Sequence, residues 1–157
     1  MATSSLIQKL FGLDESNVGE DSVSVMNRRC VEKYVVSSVG LPANACASLD
    51  VVNAASDGQL GYLVCKADAT HPIPVGVSLQ SSAAAEGDKV DICVRGICEA
   101  LVDGSAGAIV AGDALTISSS GGKLIKRSAA DEPLVAYAVD ATSADAVSTV
   151  YVCGVAS

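Results

Sequence analysis

Between Gly87 and Gly154 the chain alternates short β-type runs with Gly-containing turns, and this rhythm limits the fold more than any other feature. The segments read GDKVDICVRGICEALVDG, then GAIVAGDALTISSSGGKLIKR, then PLVAYAVDA and VSTVYVCG. Together with Tyr62 to Cys65 and Pro74 to Leu79, they give strands at Val90 to Val94, Ile97 to Val102, Ala114 to Ser118, Lys123 to Ile125, Val135 to Val139 and Val147 to Cys153. Arg95-Gly96 reads as a tight turn between two of them, and Gly121-Gly122 as the turn of a hairpin. Asp57-Gly58 and Asp103-Gly104 are further turn signals. Strands recurring about every ten residues indicate an all-β fold, a small antiparallel β-barrel or sandwich. In the run from Lys89 to Val94, Val90, Ile92 and Val94 share one face, and Lys89, Asp91 and Cys93 take the other.

Composition narrows what such a fold can do. Half of the 157 residues are hydrophobic, yet only 3% are aromatic, with one Phe and no Trp. The core is therefore built from Val, Ile, Leu and Ala, and few rings are left to stack on bases or sugars. A net charge of −8 disfavours nucleic acid, whose phosphates need clustered Lys and Arg. No apolar run approaches the roughly 20 residues that span a membrane. The first residues, MATSSLIQKLFGLDESN, lack a basic leader and their apolar run is broken by Gln8 and Lys9, so synthesis and folding in a cytosol are expected.

Chemistry-bearing side chains are sparse. The six cysteines, Cys30, Cys46, Cys65, Cys93, Cys98 and Cys153, include no CxxC pair and read as buried free thiols of a cytosolic protein. His71 has no second histidine to work with, so a structural or exposed role is expected rather than a ligand or a general base. Asp88, Asp91, Asp103 and Asp113 read as turn residues. The sequence thus points to no catalytic residue, no metal site and no cofactor.

The chain divides into an arm over residues 1–22, an arm-proximal segment with short strands over 23–56, and a β-barrel or sandwich domain over 57–157. In the arm, Leu6, Ile7, Leu10 and Phe11 form one apolar face of a short helix, too short to be stable alone in water. They belong either to a frayed terminus or to a segment that orders on a partner, for which they are candidate anchors. In the next segment Ser22 to Val25 alternates like a short strand, and Val31 to Val39 is β-rich. A small Ala/Asn segment and then Leu49 to Val52 follow. Arg28, Arg29 and Lys33 are its basic cluster, either a solvated face or a docking patch for an acidic surface.

A weak internal echo links Pro74–Leu79 and Val90–Ile97 with Leu134–Val139 and Ser148–Val155. The matches are mostly Val and Gly, so the shared grammar of β-hairpins is preferred over duplication. The series PVGVSLQSSAAAEGDKVDICVRGICEALV, GAIVAGDALTISSSGGKL and PLVAYAVDA…VSTVYVCG resembles tailed-phage capsid decoration, or cement, proteins with a small β-barrel. The matching positions are Val75-Gly76-Val77, Gly87-Asp88 with Val90 and Ile92, Gly112-Asp113 with Gly122 and Lys123, and Val135 to Asp140. Ala136 stands where that family usually has Gly. The resemblance covers about residues 57–157.

It implies a structural, non-enzymatic virion protein, made in the host cytoplasm, that binds the outer surface of an icosahedral shell of HK97-fold major capsid protein. The capsid-binding candidates are Leu6, Ile7, Leu10, Phe11, Arg28, Arg29 and Lys33. A homo-oligomer is implied, a trimer before a dimer. Two other readings stay open. One is an outward-facing host-surface or carbohydrate-binding module, against which the lack of Trp counts. The other is a biotinyl- or lipoyl-like carrier, suggested by Ala111 to Leu115 and by Lys123 at a hairpin tip.

Overall fold

A computed structural model describes residues 29–54, 59–105, 107–119 and 121–154. The arm with Leu6, Ile7, Leu10 and Phe11, the strand at Ser22 to Val25, Arg28 and the Asp57-Gly58 turn lie outside the described residues. The described chain is all-β. Its nine strands are β1 (Cys30–Val36), β2 (Cys46–Leu49), β3 (Leu63–Lys66), β4 (Pro74–Ser78), β5 (Lys89–Asp103), β6 (Ala114–Ile117), β7 (Leu124–Lys126), β8 (Ala136–Ala138) and β9 (Asp145–Val152).

The strand pairing closes on itself twice. One ring runs β1-β3-β2-β4-β5 and returns to β1. The other runs β5-β7-β6-β8-β9 and returns to β5. The sheet is thus two small barrels sharing one long strand. Pairs are antiparallel except for one short parallel seam in each ring, Val35↔Leu63 with Val36↔Val64 and Val102↔Leu124.

β5 serves both barrels because of a bulge at its middle. Cys30 pairs with Arg95 but the next residue, Val31, pairs with Cys93, so β5 carries one residue more than β1 at that point. Gly96 adopts φ 113°, a backbone region that L side chains avoid. The extra residue reverses the alternation. Even-numbered Val90 and Ile92 face the first interior and Cys98, Ala100 and Val102 the second, while odd-numbered Cys93 joins the second core and Leu101 packs against the first. The tight turn expected at Arg95-Gly96 is therefore corrected. The glycine bends a continuous strand, and the chain does not reverse because the two halves of β5 have different antiparallel partners, β1 and β4 before it and β9 after it.

The two barrels repeat one unit. Ala47↔Lys66, Ser48↔Cys65 and Leu49↔Val64 in the first correspond to Leu115↔Lys126, Thr116↔Ile125 and Ile117↔Leu124 in the second. Val77↔Cys93 and Ser78↔Ile92 correspond to Tyr137↔Tyr151 and Ala138↔Val150. The isolated bridge Leu41↔Ala84 returns as Ile109↔Thr142. The sequence echo lies on these equivalent strands in the same register. Duplication of the unit, not hairpin grammar, accounts for it.

The interiors hold the small and branched side chains that the composition requires. Val36, Leu41, Ala47, Val64, Val90 and Ile92 fill the first barrel, and Val102, Ile109, Leu115, Leu124, Val150 and Val152 the second. An eight-stranded barrel is just filled by ordinary side chains. Five-stranded rings are narrower, and large rings are excluded from them. β2 lies in the Ala/Asn segment, which carries no β signal of its own. It is a strand because Ala47 fits the narrow interior and pairs on both sides.

The barrels are joined a second time at the tip of the β6–β7 hairpin. Cys46 N donates to Gly122 O at 2.7 Å, and Gly122 N to Ala67 O at 3.1 Å. Gly122 has φ +69°, and a Cβ there would stand 2.9 Å from Ala45 Cβ and 3.2 Å from Cys46 O. Gly121 has φ +76° but meets only the Lys123 side chain, at 3.8 Å. Gly121→Ala is expected to cost about 1–2 kcal/mol through the backbone alone. Gly122→Ala should cost clearly more, because it also pushes the tip off the first barrel. Urea unfolding of the two variants measures the difference, and equal losses would mean that the tip is not held there.

Candidate functional site

The second barrel turns an apolar row outwards. Buried Ala136, Ala138, Val150 and Val152 alternate with outward residues on β8 and β9. Tyr137 lies directly across from Tyr151, and the two are 41% and 37% exposed. Val139 and Val147 extend the row and are also exposed. On β5, Ile97 lies opposite Tyr151 and Glu99 opposite Thr149. Shallow clefts indent this face. One lies at the seam of the barrels between Arg29, Asn44, Ile97, Glu99 and Thr149. The other lies between Glu99, Asp140, Thr142, Val147 and Thr149.

Of the basic cluster Arg28, Arg29 and Lys33, the structure describes Arg29 and Lys33 and places them apart. Arg29 is half-buried at the seam, where its Nε donates to Ile97 O at 3.0 Å beside the β5 bulge. Its guanidinium also lies near a thiol pair. The Cys98 thiol donates to Cys93 and, with the Arg29 charge, holds the Cys93 thiol below its ordinary range although burial opposes this. The same hydrogen bond, with burial, pushes Cys98 up. Lys33 sits on the outer face of the first barrel, where its Nζ pairs with Asp91 Oδ1 at 2.7 Å across the β1–β5 ladder.

A second apolar cluster rims one end of the first barrel. Val51, Val52, Leu60, Tyr62 and Ile73 are all at least 40% exposed there. Three backbone bonds tie these loops to the strands: Leu49 N to Ile73 O, Asp50 N to Leu63 O, and Val35 N to Tyr62 O. Beneath the rim, Asp50 and His71 are buried. The His71 ring lies 3.0 Å from Asp68 Oδ1 through Nδ1 and 3.6 Å from Asp50 Oδ1 through Nε2. Burial opposes the charge on Asp50, but the neighbouring Ser37 hydroxyl, the Asn53 amide groups and His71 outweigh it and hold the carboxyl below the usual range. Cys65 is pushed up to about 12 by burial and by the charges of Asp50 and Asp68. Among the described residues, Asp50, Cys65 and His71 form the group that could hold a metal ion.

Other carboxylates serve the backbone. Asp88 accepts from Ala85 N, Asp103 from Ser105 N, and Asp113 from Val110 N, each at 2.8–2.9 Å. Asp91, expected in a turn, lies instead in β5, because its strand pairs with β1 and offers it Lys33. Lys123 pairs with Asp145 beside a hairpin tip docked on the first barrel, so it does not project as a carrier lysine would. Periodicity had no means of finding the Tyr137–Tyr151 face, since outward apolar residues read as core. The echo gives no signal for it either, since it places Tyr137 and Tyr151 where the first unit has the buried Val77 and Cys93.

The family model described as phage cement protein matches residues 38–154. No curated protein matches the chain. Among solved structures, the head fiber gp8.5 N base of bacteriophage phi29 is similar, with a TM-score of 0.56 at 16% identity, covering 82% of this chain and 98% of that one. The likeness is one of fold.

The thiols differ enough in exposure to be told apart. All six are free, with Cys30 exposed, Cys153 half-buried and Cys46, Cys65, Cys93 and Cys98 buried. Exposed Cys30 departs from the expected set of buried thiols, because β1 begins at the edge of the described barrel. Native-state alkylation read by mass spectrometry should label Cys30 first and Cys153 more slowly. The other four should react only on unfolding. Early labelling of Cys93 would contradict the burial of the seam.

Proposed function

The chain belongs to the phage cement protein family, and from that premise we propose that it binds the outer surface of an icosahedral capsid and clamps neighbouring capsomers against the pressure of packaged DNA. As a phage cement protein it is a structural, capsid-associated component of the virion. The capsid subunits in this reading have the HK97-type fold, the protein is made in the host cytoplasm, and it carries out no catalysis.

One observation carries the proposal. Two apolar surfaces, the Tyr137–Tyr151 row and the rim at Val51, Val52, Leu60, Tyr62 and Ile73, sit on different barrels of one body joined through β5. A cement protein needs two footholds at a fixed spacing, because a contact on one subunit alone resists nothing. The arm residues Leu6, Ile7, Leu10 and Phe11 add anchors, with Arg28, Arg29 and Lys33 at its root. A trimer would multiply the footholds, and weak single contacts would gain through multivalency. The acidic chain docks by shape and apolar burial, so its binding tolerates salt that would screen long-range attraction.

Particles stripped of the protein and then saturated with it should release DNA at a higher temperature than stripped particles, since a ligand of the intact shell stabilises it by mass action. Replacing Tyr137 and Tyr151 together by Ser should weaken binding by about tenfold or more while leaving the isolated protein folded. Raising the salt should leave binding largely intact. Equal release temperatures with and without saturating protein would remove the stabilising role and favour an outward-facing adhesion role.

A further inference from the structure

The buried polar cluster at the end of the first barrel is not explained by the fold or by docking. We propose that Asp50, Cys65 and His71 form a zinc site. Asp50 follows β2, Cys65 lies in β3 and His71 in the loop before β4, so three segments meet at one point. Their ligand atoms all lie within 4.8 Å of one another, and all three residues are buried.

The orientation of His71 is the strongest observation. Its Nδ1 is 3.0 Å from Asp68 Oδ1, which holds the proton on that nitrogen and leaves the Nε2 lone pair for the interior. His71 is 6% exposed, and Nε2 is buried without a hydrogen-bond partner. Asp50 Oδ1 is 3.6 Å from Nε2. That is too long for a hydrogen bond but close to the separation, about 3.4 Å, of two ligands on one tetrahedral zinc ion. A histidine that gives one N–H to a carboxylate and turns its other nitrogen to a metal is a recurrent arrangement in metal sites.

Asp50 is also held in place. Asn53 donates its backbone N–H to Asp50 Oδ1 at 2.9 Å and its side-chain amide to Oδ2 at 2.9 Å, which fixes the carboxylate. Cys65 belongs to neither apolar core. One nitrogen, one sulfur and one carboxylate suit zinc, whereas calcium and magnesium take oxygen ligands. Binding would convert the Cys65 thiol to a thiolate and release its proton to solvent.

The repeat supplies an internal control. Ser48↔Cys65 corresponds to Thr116↔Ile125, so the second unit has Ile125 where the first has Cys65 and Ser118 where it has Asp50. The unit closes its barrel there without the cluster. A buried carboxylate and histidine at this end are therefore particular to the first barrel, where the ion would tie the loop carrying Ile73 to β2 and β3.

The test uses the full chain, stripped with chelator and reloaded with zinc or with cobalt. One zinc per chain is expected, with a rise in Tm that chelator reverses. Cobalt should give a thiolate-to-metal charge-transfer band and a tetrahedral spectrum. Cys65→Ser should abolish the band, and His71→Gln should weaken cobalt binding at least tenfold. Cys30→Ser, which removes an exposed thiol, should change neither. Metal content and spectrum of the unaltered chain decide the matter even if a variant fails to fold. Substoichiometric zinc without a thiolate band would overturn the proposal and leave His71 as a buried ring held by Asp68. A band lost in Cys30→Ser instead of Cys65→Ser would also overturn it.

Discussion

Strand β5 belongs to both barrels, and the rest of the architecture depends on how it passes from one to the other. Its first half is bonded to β1 and β4, its second half to β9 with a single pair to β7. A regular strand alternates strictly and would turn its even-numbered residues to one and the same barrel along its whole length. The extra residue opposite β1 and the positive φ of Gly96 reverse that alternation once. Without the reversal, Cys98, Ala100 and Val102 would point out of the second barrel and its interior would lose one wall. The bulge is thus what allows one strand to close two rings.

Closure has a second consequence. An open sheet leaves edge strands whose free N–H and C=O groups invite pairing with another copy. Each ring here pairs every one of its strands on both sides, and this removes that hazard within the described residues. A protein of the virion is made in many copies, so a fold without open edges suits it. The net charge of −8 adds long-range repulsion between free copies. What remains for specific contact is side-chain surface, the Tyr137–Tyr151 row and the rim of the first barrel.

Much of the fold was legible where its signals are local. The strands from β3 onwards fall where turn residues and branched runs placed them, and Gly121-Gly122 does turn the β6–β7 hairpin. Two elements were not legible, for definite reasons. Cys46–Leu49 has too little β-branched character to announce a strand, and it is one because two neighbours bond it. Arg95-Gly96 has the composition of a turn, and only its distant partners on β1 and β9 keep it extended. The double closure itself rests on pairings such as Lys33↔Asp91 and Glu99↔Thr149, which no local pattern encodes. The same holds for the polar cluster. Asp50, Cys65 and His71 have no motif spacing, and a lone histidine reads as inert until Asp68 is seen to fix its ring. Of the basic residues singled out, Arg29 is engaged at the seam and Lys33 is paired with Asp91, so their part in docking is a proposal rather than a reading of the free surface.

The proposed clamp makes a geometric claim that can be seen directly. Two barrels fixed to one another by β5 and by the Gly122 contact should set their apolar surfaces on two different capsid subunits. A cryo-electron microscopy map of decorated particles, at a resolution that traces strands, measures this. The account predicts the Tyr137–Tyr151 row on one subunit and the rim of Val51, Val52 and Ile73 on its neighbour, with both surfaces covered. A map in which one barrel alone touches the shell and the other stands free in solvent would contradict it.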